Sequence, residues 1–422
     1  MKKTTVRILS AIGITTLCIL VGFTGYTFGK QQKLRQIEDQ KDLDLVGVLT
    51  PTPVVEVPGE GGGTIEPDIT DTVTPTITVT PPVEAGNTSP TPQPGADPDS
   101  PTDQPSEPIT LTFAGDILFD EGSKPMERYD QKKQGILGGL SADLVEEMKA
   151  ANIMMLNNEF PYSTRGTKTL DKTYTFRANP SRVDILHEMG VDIVSLANNH
   201  ALDYGKDALM DTFDTLEDAK VEYVGAGRDL DRAKAPIYMT IGATKIAYLA
   251  ASRVIFAGDW YATTTEPGMF GTYDPTMLIE QIKEAEKNSD FVVVFLHWGV
   301  ESNQYPEEYQ KIFAKQYIDA GADAVIGCHP HVMQGFEYYK GKPIAYSLGN
   351  FWFSSYRRES GLFKLTLETD GTVKAQIFPV MTDNCYTYLL EADSEKKNYF
   401  DYMEDISFGV TIDEEGFITE SE

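Results

Sequence analysis

Residues 191–219 read VDIVSLANNHALDYGKDALMDTFDTLEDA. The first part, DIVSLA, is an apolar run suited to a buried strand. It breaks into Asn198, Asn199 and His200. After Gly205, apolar residues return at helical spacing over Lys206–Ala219. Strand, polar turn and helix in immediate succession is the repeating unit of an α/β fold. Two asparagines and a histidine contribute little to a core. They can cap the helix that follows, hold a cation or move a proton. Asp203 is better placed than any of the three to cap a helix starting near Lys206.

Working outward, the same alternation recurs. ITLTFAG (109–115), IMMLN (153–157), KIAYLA (245–250), FVVVFL (291–296), DAVIG (323–327) and PIAYS (343–347) have the apolar, β-branched character of buried strands. Helical spacing is seen at Asp143–Ala151, Ser181–Met189, Pro275–Asn288 and Glu307–Ala320. The pattern predicts an α/β domain with central sheets. Beyond Gly361, LFKLTLE and VKAQIFP flank Asp370–Gly371 and read as a hairpin. From Glu391 the chain turns acidic, which predicts solvated surface with some helix. The domain is therefore expected over 109–390 and an acidic tail over 391–422.

The N-terminal part has a different character. Ile8–Gly29 carries no charge and is flanked by Lys2, Lys3 and Arg7 before and Lys30, Lys33 and Arg35 after. About 20 apolar residues span a bilayer, and no Ala-x-Ala cleavage pattern follows. Residues 1–30 are thus expected to form a cytoplasmic tip and a transmembrane signal-anchor. Residues 31–108 hold most of the prolines and many threonines, a composition that buries too little apolar surface to fold. They read as a disordered extracellular stalk. The expected place is the cell membrane, single-pass, with the C-terminal domain extracellular.

The formal charge is −28. This argues against nucleic acid as a ligand, and an anionic polymer would need a cation to dock. The three cysteines, Cys18, Cys328 and Cys385, imply no disulfide framework. Of five histidines, four directly follow strand-like runs: His200, His297, His329 and His331. His187 lies within a helical run and reads as structural. Asp116 follows FAG, and Glu159 follows IMMLNN. Ligands of open α/β sheets bind outside the carboxyl ends of strands, so these residues could share one rim. Each alone also fits a turn or a packed ring. Together, imidazole, carboxylate and amide donors suit a divalent transition metal such as Mn, Zn or Fe. Cys328 reads as a small buried hydrophobe, with a thiolate ligand as the alternative.

The order AGDILF (114–119), NNEFP (157–161), SLANNHALDYG (195–205), HWGVE (297–301), GCHPHVMQG (327–335) and SLGNFWF (347–353) resembles the CapA, or poly-γ-glutamate capsule-synthesis, family. That family is in turn similar to calcineurin-like metallophosphoesterases. The resemblance implies a four-layer α/β/β/α sandwich with one or two divalent metal ions at the strand ends. It implies Asp116, Glu159, Asn199, His297, His329 and His331 as metal ligands and His200 as the proton donor to a leaving group. The superfamily's first motif is Asp-x-His. Here Leu118 stands in the histidine position, which weakens the first metal site.

Asp203 is expected to hold the second ring nitrogen of His200 and so fix its tautomer. Arg177, in YTFRANP (174–180), is expected to bind an anionic group of the substrate. Two functions follow. One is an extracellular metal-dependent hydrolase of phosphoesters or of an envelope polymer, in capsule or poly-γ-glutamate synthesis and export. The other is a non-catalytic accessory that holds an anionic polymer or membrane polymer-synthase subunits through its metal.

Overall fold

The structure is a computed structural model and describes residues 107–421. The expected anchor and stalk lie outside the described residues. Among the described residues no helix is long and apolar enough to cross a membrane.

The fold is mixed α/β. A ten-stranded sheet contains β1 (Ile109–Ile117), β2 (Ile153–Asn158), β3 (Ile193–Ser195), β4 (Glu222–Val224), β13 (Asn350–Trp352), β14 (Arg358–Leu367), β15 (Val373–Asp383), β16 (Tyr386–Leu389), β17 (Val410–Ile412) and β18 (Phe417–Glu420). Its main path runs β17-β18-β15-β14-β1-β2-β3-β4, with β13 paired to β1 and β16 to β15. A six-stranded sheet contains β6 (Ile237–Ile241), β7 (Thr244–Ser252), β9 (Phe291–His297), β10 (Ala324–Cys328), β11 (Met333–Tyr339) and β12 (Lys342–Leu348), in the order β11-β12-β10-β9-β7-β6. Two short strands, β5 (Ala226–Gly227) and β8 (Gly268–Met269), form a third pairing. The runs β1-β2-β3-β4 and β7-β9-β10-β12 are parallel. Parallel strands are covered on both faces, and this is why FVVVFLH and AVIGC are buried throughout.

Alternation along the strands sorts side chains into three apolar clusters. Leu111, Phe113 and Met155 of the large sheet meet Tyr248, Val293, Phe295 and Ile326 of the smaller one. Met154 and Leu156 face the opposite way. They pack with α2 (Ala142–Lys149), α3 (Asp184–Met189) and α4 (Lys206–Ala219) through Leu144, Met148, Leu186, Leu209 and Phe213. Val292, Val294 and Leu296 pack with α6 (Thr276–Glu286) and α7 (Glu308–Asp319) through Leu278, Ile282 and Tyr317. The remaining helices are α1 (Lys124–Lys132), α5 (Leu230–Lys234) and α8 (Asp393–Asp405).

Helix α4 spans the expected residues and buries Ala208, Leu209, Thr212, Phe213 and Leu216, one stripe of a helix. Its N-cap is Gly205, with no side-chain cap. Asp203 is therefore not the cap that its position suggested; its carboxylate is committed elsewhere. The hairpin about Asp370–Gly371 joins β14 to β15 in antiparallel register from Leu367↔Val373 to Arg358↔Thr382. The acidic segment 391–422 forms the expected helix but is not solvated surface alone. Helix α8 and strands β17 and β18 bury Tyr399, Phe400, Met403, Val410, Ile412 and Ile418 in the inter-sheet cluster. Net acidity masked an amphipathic helix whose apolar residues occupy one face.

Candidate metal centre

Six of the sequence-predicted residues meet at the carboxyl ends of the parallel strands. Asp116 is next to last in β1 and fully buried. The β13 segment crosses tightly there, and the Asp116 amide donates to the Gly349 carbonyl at 2.9 Å. A Cβ on Gly115 would stand 1.9 Å from that same oxygen, so this approach requires glycine. Glu159 directly follows β2 and is also fully buried. Asn199 and His200 occupy the turn after β3. His297 ends β9, and His329 and His331 follow β10. Both His329 (φ 97°) and His331 (φ 57°) have positive φ. Such backbone persists only when its surroundings hold it. Here the His329 amide donates to Asp116 Oδ2 at 3.2 Å, and Arg358 Nη1 donates to the His331 carbonyl at 3.1 Å.

Glu159 Oε1 is the centre of the cluster. It lies 3.6 Å from His297 Nε2 and 4.0 Å from both His331 Nε2 and His200 Nε2. His331 Nδ1 is 3.3 Å from Asp116 Oδ2. Asn199 Oδ1 is 2.8 Å from His297 Nε2. Three overlapping donor groups can each surround an ion: Glu159 with His297 and His329, Asp116 with Glu159 and His331, and Asp116 with His297 and Cys328.

The electrostatics are those of a cation site. Burial, reinforced by the Asp116 charge, pushes the Glu159 carboxyl well above its ordinary range. Burial would raise Asp116 as well, but the hydrogen bond and charge of His331, with a hydrogen bond from Asn157, hold it below. Burial pushes His297 well down, and with the His331 charge brings His329 to about 3. Burial also opposes a charge on His331, yet Glu159 and Asp116 lift it to about 10. Both Glu159 oxygens and His329 Nδ1 are buried without a hydrogen-bond partner. A buried carboxylate with no donor is costly. A divalent cation satisfies those oxygens and the neutral imidazoles together, so the residues fit the metal that the sequence suggested.

His200 sits beside this cluster. Its Nδ1–H donates to Asp203 Oδ2 at 2.6 Å, since two acceptors would not approach so closely. The Phe176 amide donates to the same oxygen at 2.7 Å. Burial draws the His200 ring below its ordinary value, against the pull of Asp203. Phe176 lies against the imidazole with ring centres 4.3 Å apart.

Arg177 does not join them. Its guanidinium lies 4.1 Å over the Tyr204 ring, and Nη1 donates to the Arg165 carbonyl at 3.0 Å. Leu118 is buried in the apolar cluster on the helix side of the large sheet.

Sequence reasoning assigned Asn157 and Asn350 no role at the centre and left that of Asn198 open. Asn157 Nδ2 donates to Asp116 Oδ1 at 2.7 Å and lies 3.4 Å from His297 Nδ1. Asn350 Oδ1 meets His331 Nδ1 at 2.7 Å. Asn198 ties the turn to β2 through Asn157 Oδ1 at 3.1 Å and the Asn158 carbonyl at 2.9 Å. All three are polar residues at strand ends, which was the available signal. Cys328 Sγ is 3.3 Å from His297 Nδ1, so the thiol is an immediate neighbour of the centre. Lys172 carried no signal. It comes from an exposed connection and reaches Asp203 and the Asn199 carbonyl.

Residues 110–355 match the family described as bacterial capsule synthesis protein PGA_cap. The chain belongs to this family. It is 33% identical over 296 residues to the PGA biosynthesis protein CapA of Bacillus subtilis, covering 68% of this chain and 76% of that one. It is 32% identical over 286 residues to the capsule biosynthesis protein CapA of Bacillus anthracis, covering 65% and 68%. Among solved structures, a phosphatase of Mycoplasma pneumoniae is similar over 66% of this chain and 95% of that one, at 13% identity and a TM-score of 0.41.

Proposed function

We propose that this member of the PGA_cap family is a metal-dependent hydrolase of the phosphoesterase type, acting on a phosphoester or an anionic envelope polymer in capsule or poly-γ-glutamate synthesis and export. The observation that carries the reading is His200. It is fixed by Asp203 on one nitrogen and turns the other toward Glu159, 4.0 Å away.

In this reading Asp116, Glu159, Asn199, His297, His329 and His331 hold one or two ions of Mn, Zn or Fe. When bound, the cation polarises a phosphoryl or carbonyl oxygen and offsets its developing charge. Asn157 and Asn350 orient Asp116 and His331 through the bonds described above. With Nδ1–H given to Asp203, His200 carries a second proton at Nε2 only as the imidazolium, and in that form it passes the Nε2 proton to the leaving-group oxygen. Asp203 orients the ring and, against burial, stabilises the imidazolium that this step needs. Three apolar clusters, one between the sheets and one on each outer face, support a four-layer α/β/β/α sandwich. The uncharged N-terminal run and the proline-rich segment after it support a single-pass membrane protein with its folded domain outside the cell.

The test is a phosphoesterase screen of the purified protein loaded with Mn or Zn. Turnover is expected, and His200→Ala should lower it by about 10²–10⁴-fold while elemental analysis finds the metal retained. Equal turnover in the variant, or none in the wild type, would overturn the proposal.

A second reading is a non-catalytic, metal-organised accessory that binds the polymer or membrane synthase subunits. Leu118 favours it, because an apolar residue stands in the histidine position of the related Asp-x-His motif and is buried among apolar neighbours. It predicts polymer binding that survives His200→Ala and is lost on chelation.

A further inference from the structure

Lys172 is out of character with its surroundings. It belongs to the connection between β2 and α3, where Leu170 is 81% and Tyr174 70% exposed. Its own side chain is only 8% exposed. The ammonium donates to the Asn199 carbonyl and to Asp203 Oδ1, and lies 3.0 Å from His200 Nδ1. The Trp260 and Phe256 rings close over it at 5.1 and 5.8 Å. An ammonium has three N–H groups and no acceptor. Two of the three are spent on the turn that carries Asn199 and His200.

We infer that Lys172 is a positioning residue for that turn, holding Asn199 toward His297 and His200 toward Glu159 from a loop far away in sequence. The inference rests on the hydrolase reading for its kinetic consequence, but not for its geometric one. Asp203 is fully buried. Its Oδ2 is occupied by His200 and the Phe176 amide, and its Oδ1 is answered by Lys172. Without the ammonium, a buried carboxylate stands half-paired and the Asn199 carbonyl loses its donor. The turn then has reason to move, and with it an amide oxygen 2.8 Å from His297 Nε2.

Lys172 is not needed merely to keep the connection in place. Thr169 N donates to the Asp203 carbonyl at 2.8 Å, and Ser163 Oγ donates to Asp211 Oδ2 at 2.6 Å. Nor is it offered freely to a substrate, since its donors face protein acceptors and its remaining surface faces aromatic rings.

The test compares the full chain in detergent as wild type, Lys172→Met and Lys172→Arg. It measures Mn binding by isothermal titration calorimetry and hydrolysis of bis(p-nitrophenyl) phosphate. Lys172→Met is expected to weaken Mn binding about tenfold and to lower kcat about a hundredfold, with KM little changed. Lys172→Arg, which keeps the charge and donors, should recover most of both. If Lys172→Met does not fold, Lys172→Gln repeats the comparison and is read the same way.

Wild-type Mn affinity and kcat in Lys172→Met would overturn the inference. So would a loss confined to KM, which would make Lys172 a substrate contact, or an arginine variant no better than the methionine one. If the wild type binds Mn but turns nothing over, the hydrolase reading fails, and the Mn affinities alone still decide the role of Lys172. A wild type that binds no Mn would overturn both.

Discussion

The two sheets bring opposite chemistry to the same rim. The ten-stranded sheet delivers oxygen donors, Asp116, Asn157, Glu159, Asn199 and Asn350, together with one histidine, His200, which Asp203 holds. The six-stranded sheet delivers three imidazoles, His297, His329 and His331. Neither set suffices. The carboxylates alone would repel each other in a buried place, and the imidazoles alone would be neutral rings without a countercharge. Burial raises the Glu159 carboxyl and lowers His297 and His329, while only His331, between two carboxylates, is lifted. The centre exists where the ends of both parallel runs meet. Its strain is concentrated on the imidazole side, at His329 and His331.

The sharpest way to break this junction is Gly115→Ala. Its Cβ would collide with the Gly349 carbonyl, a backbone atom that cannot swing aside. Urea denaturation should show a loss of about 3–5 kcal/mol, and metal binding should fail with it.

The acid side is tested by Glu159→Gln, whose effect should change sign with metal. In metal-free protein burial raises the Glu159 carboxyl, so ionising it as pH rises costs stability that the permanently neutral variant does not lose, and at alkaline pH the variant should be more stable by about 1–3 kcal/mol. With Mn present the order should reverse, because the wild type gains stability from the bound ion and the variant does not. Thermal melts with and without a chelator would show it.

Protons test the imidazole and acid sides together. Glu159 and His331 both have raised values in the metal-free fold. A group raised on folding stabilises below its unfolded value and loses that contribution as pH climbs through its folded one, here toward about 10 for His331. A metal must displace these protons. Mn affinity should therefore rise with pH, and calorimetry in buffers of different ionisation enthalpy should detect proton release. Binding that weakens as pH rises from neutrality would contradict this picture.

A smaller effect is expected at Cys328, on the far side of His297. Cys328→Ser keeps a polar partner for Nδ1 and should change Mn affinity less than Cys328→Ala, for which a loss of about tenfold is expected. The least effect belongs to His187, exposed on α3. His187→Ala should stay within about 0.5 kcal/mol in stability and leave metal stoichiometry unchanged.

Much of the centre was legible because parallel strands write their character locally. A continuous apolar run followed at once by Asp, Glu, Asn or His marks both a strand and its functional end, as in FVVVFLH and IMMLNNE. Helix α4 was legible for the same reason, through one stripe of apolar residues. The segment after Glu391 was misread in part because its charge is an average, whereas Tyr399, Phe400 and Met403 share one face. The protein partner of Arg177 was not legible because a guanidinium beside aromatic residues carries no local mark of which ring it will lie over, here that of Tyr204.

By itself the sequence determined which residues end strands and which turns carry imidazole or carboxylate. Only the tertiary structure decided who meets whom: that Asp116 answers His331, that Asp203 serves His200 and not the helix beside it, and that a lysine from an exposed connection closes the turn. The physical reason is range. Periodicity and burial act over a few neighbouring residues and leave their trace in the order of the chain. Charge pairing and hydrogen bonding in a buried place act between groups that only the packing of two sheets brings within about 3 Å.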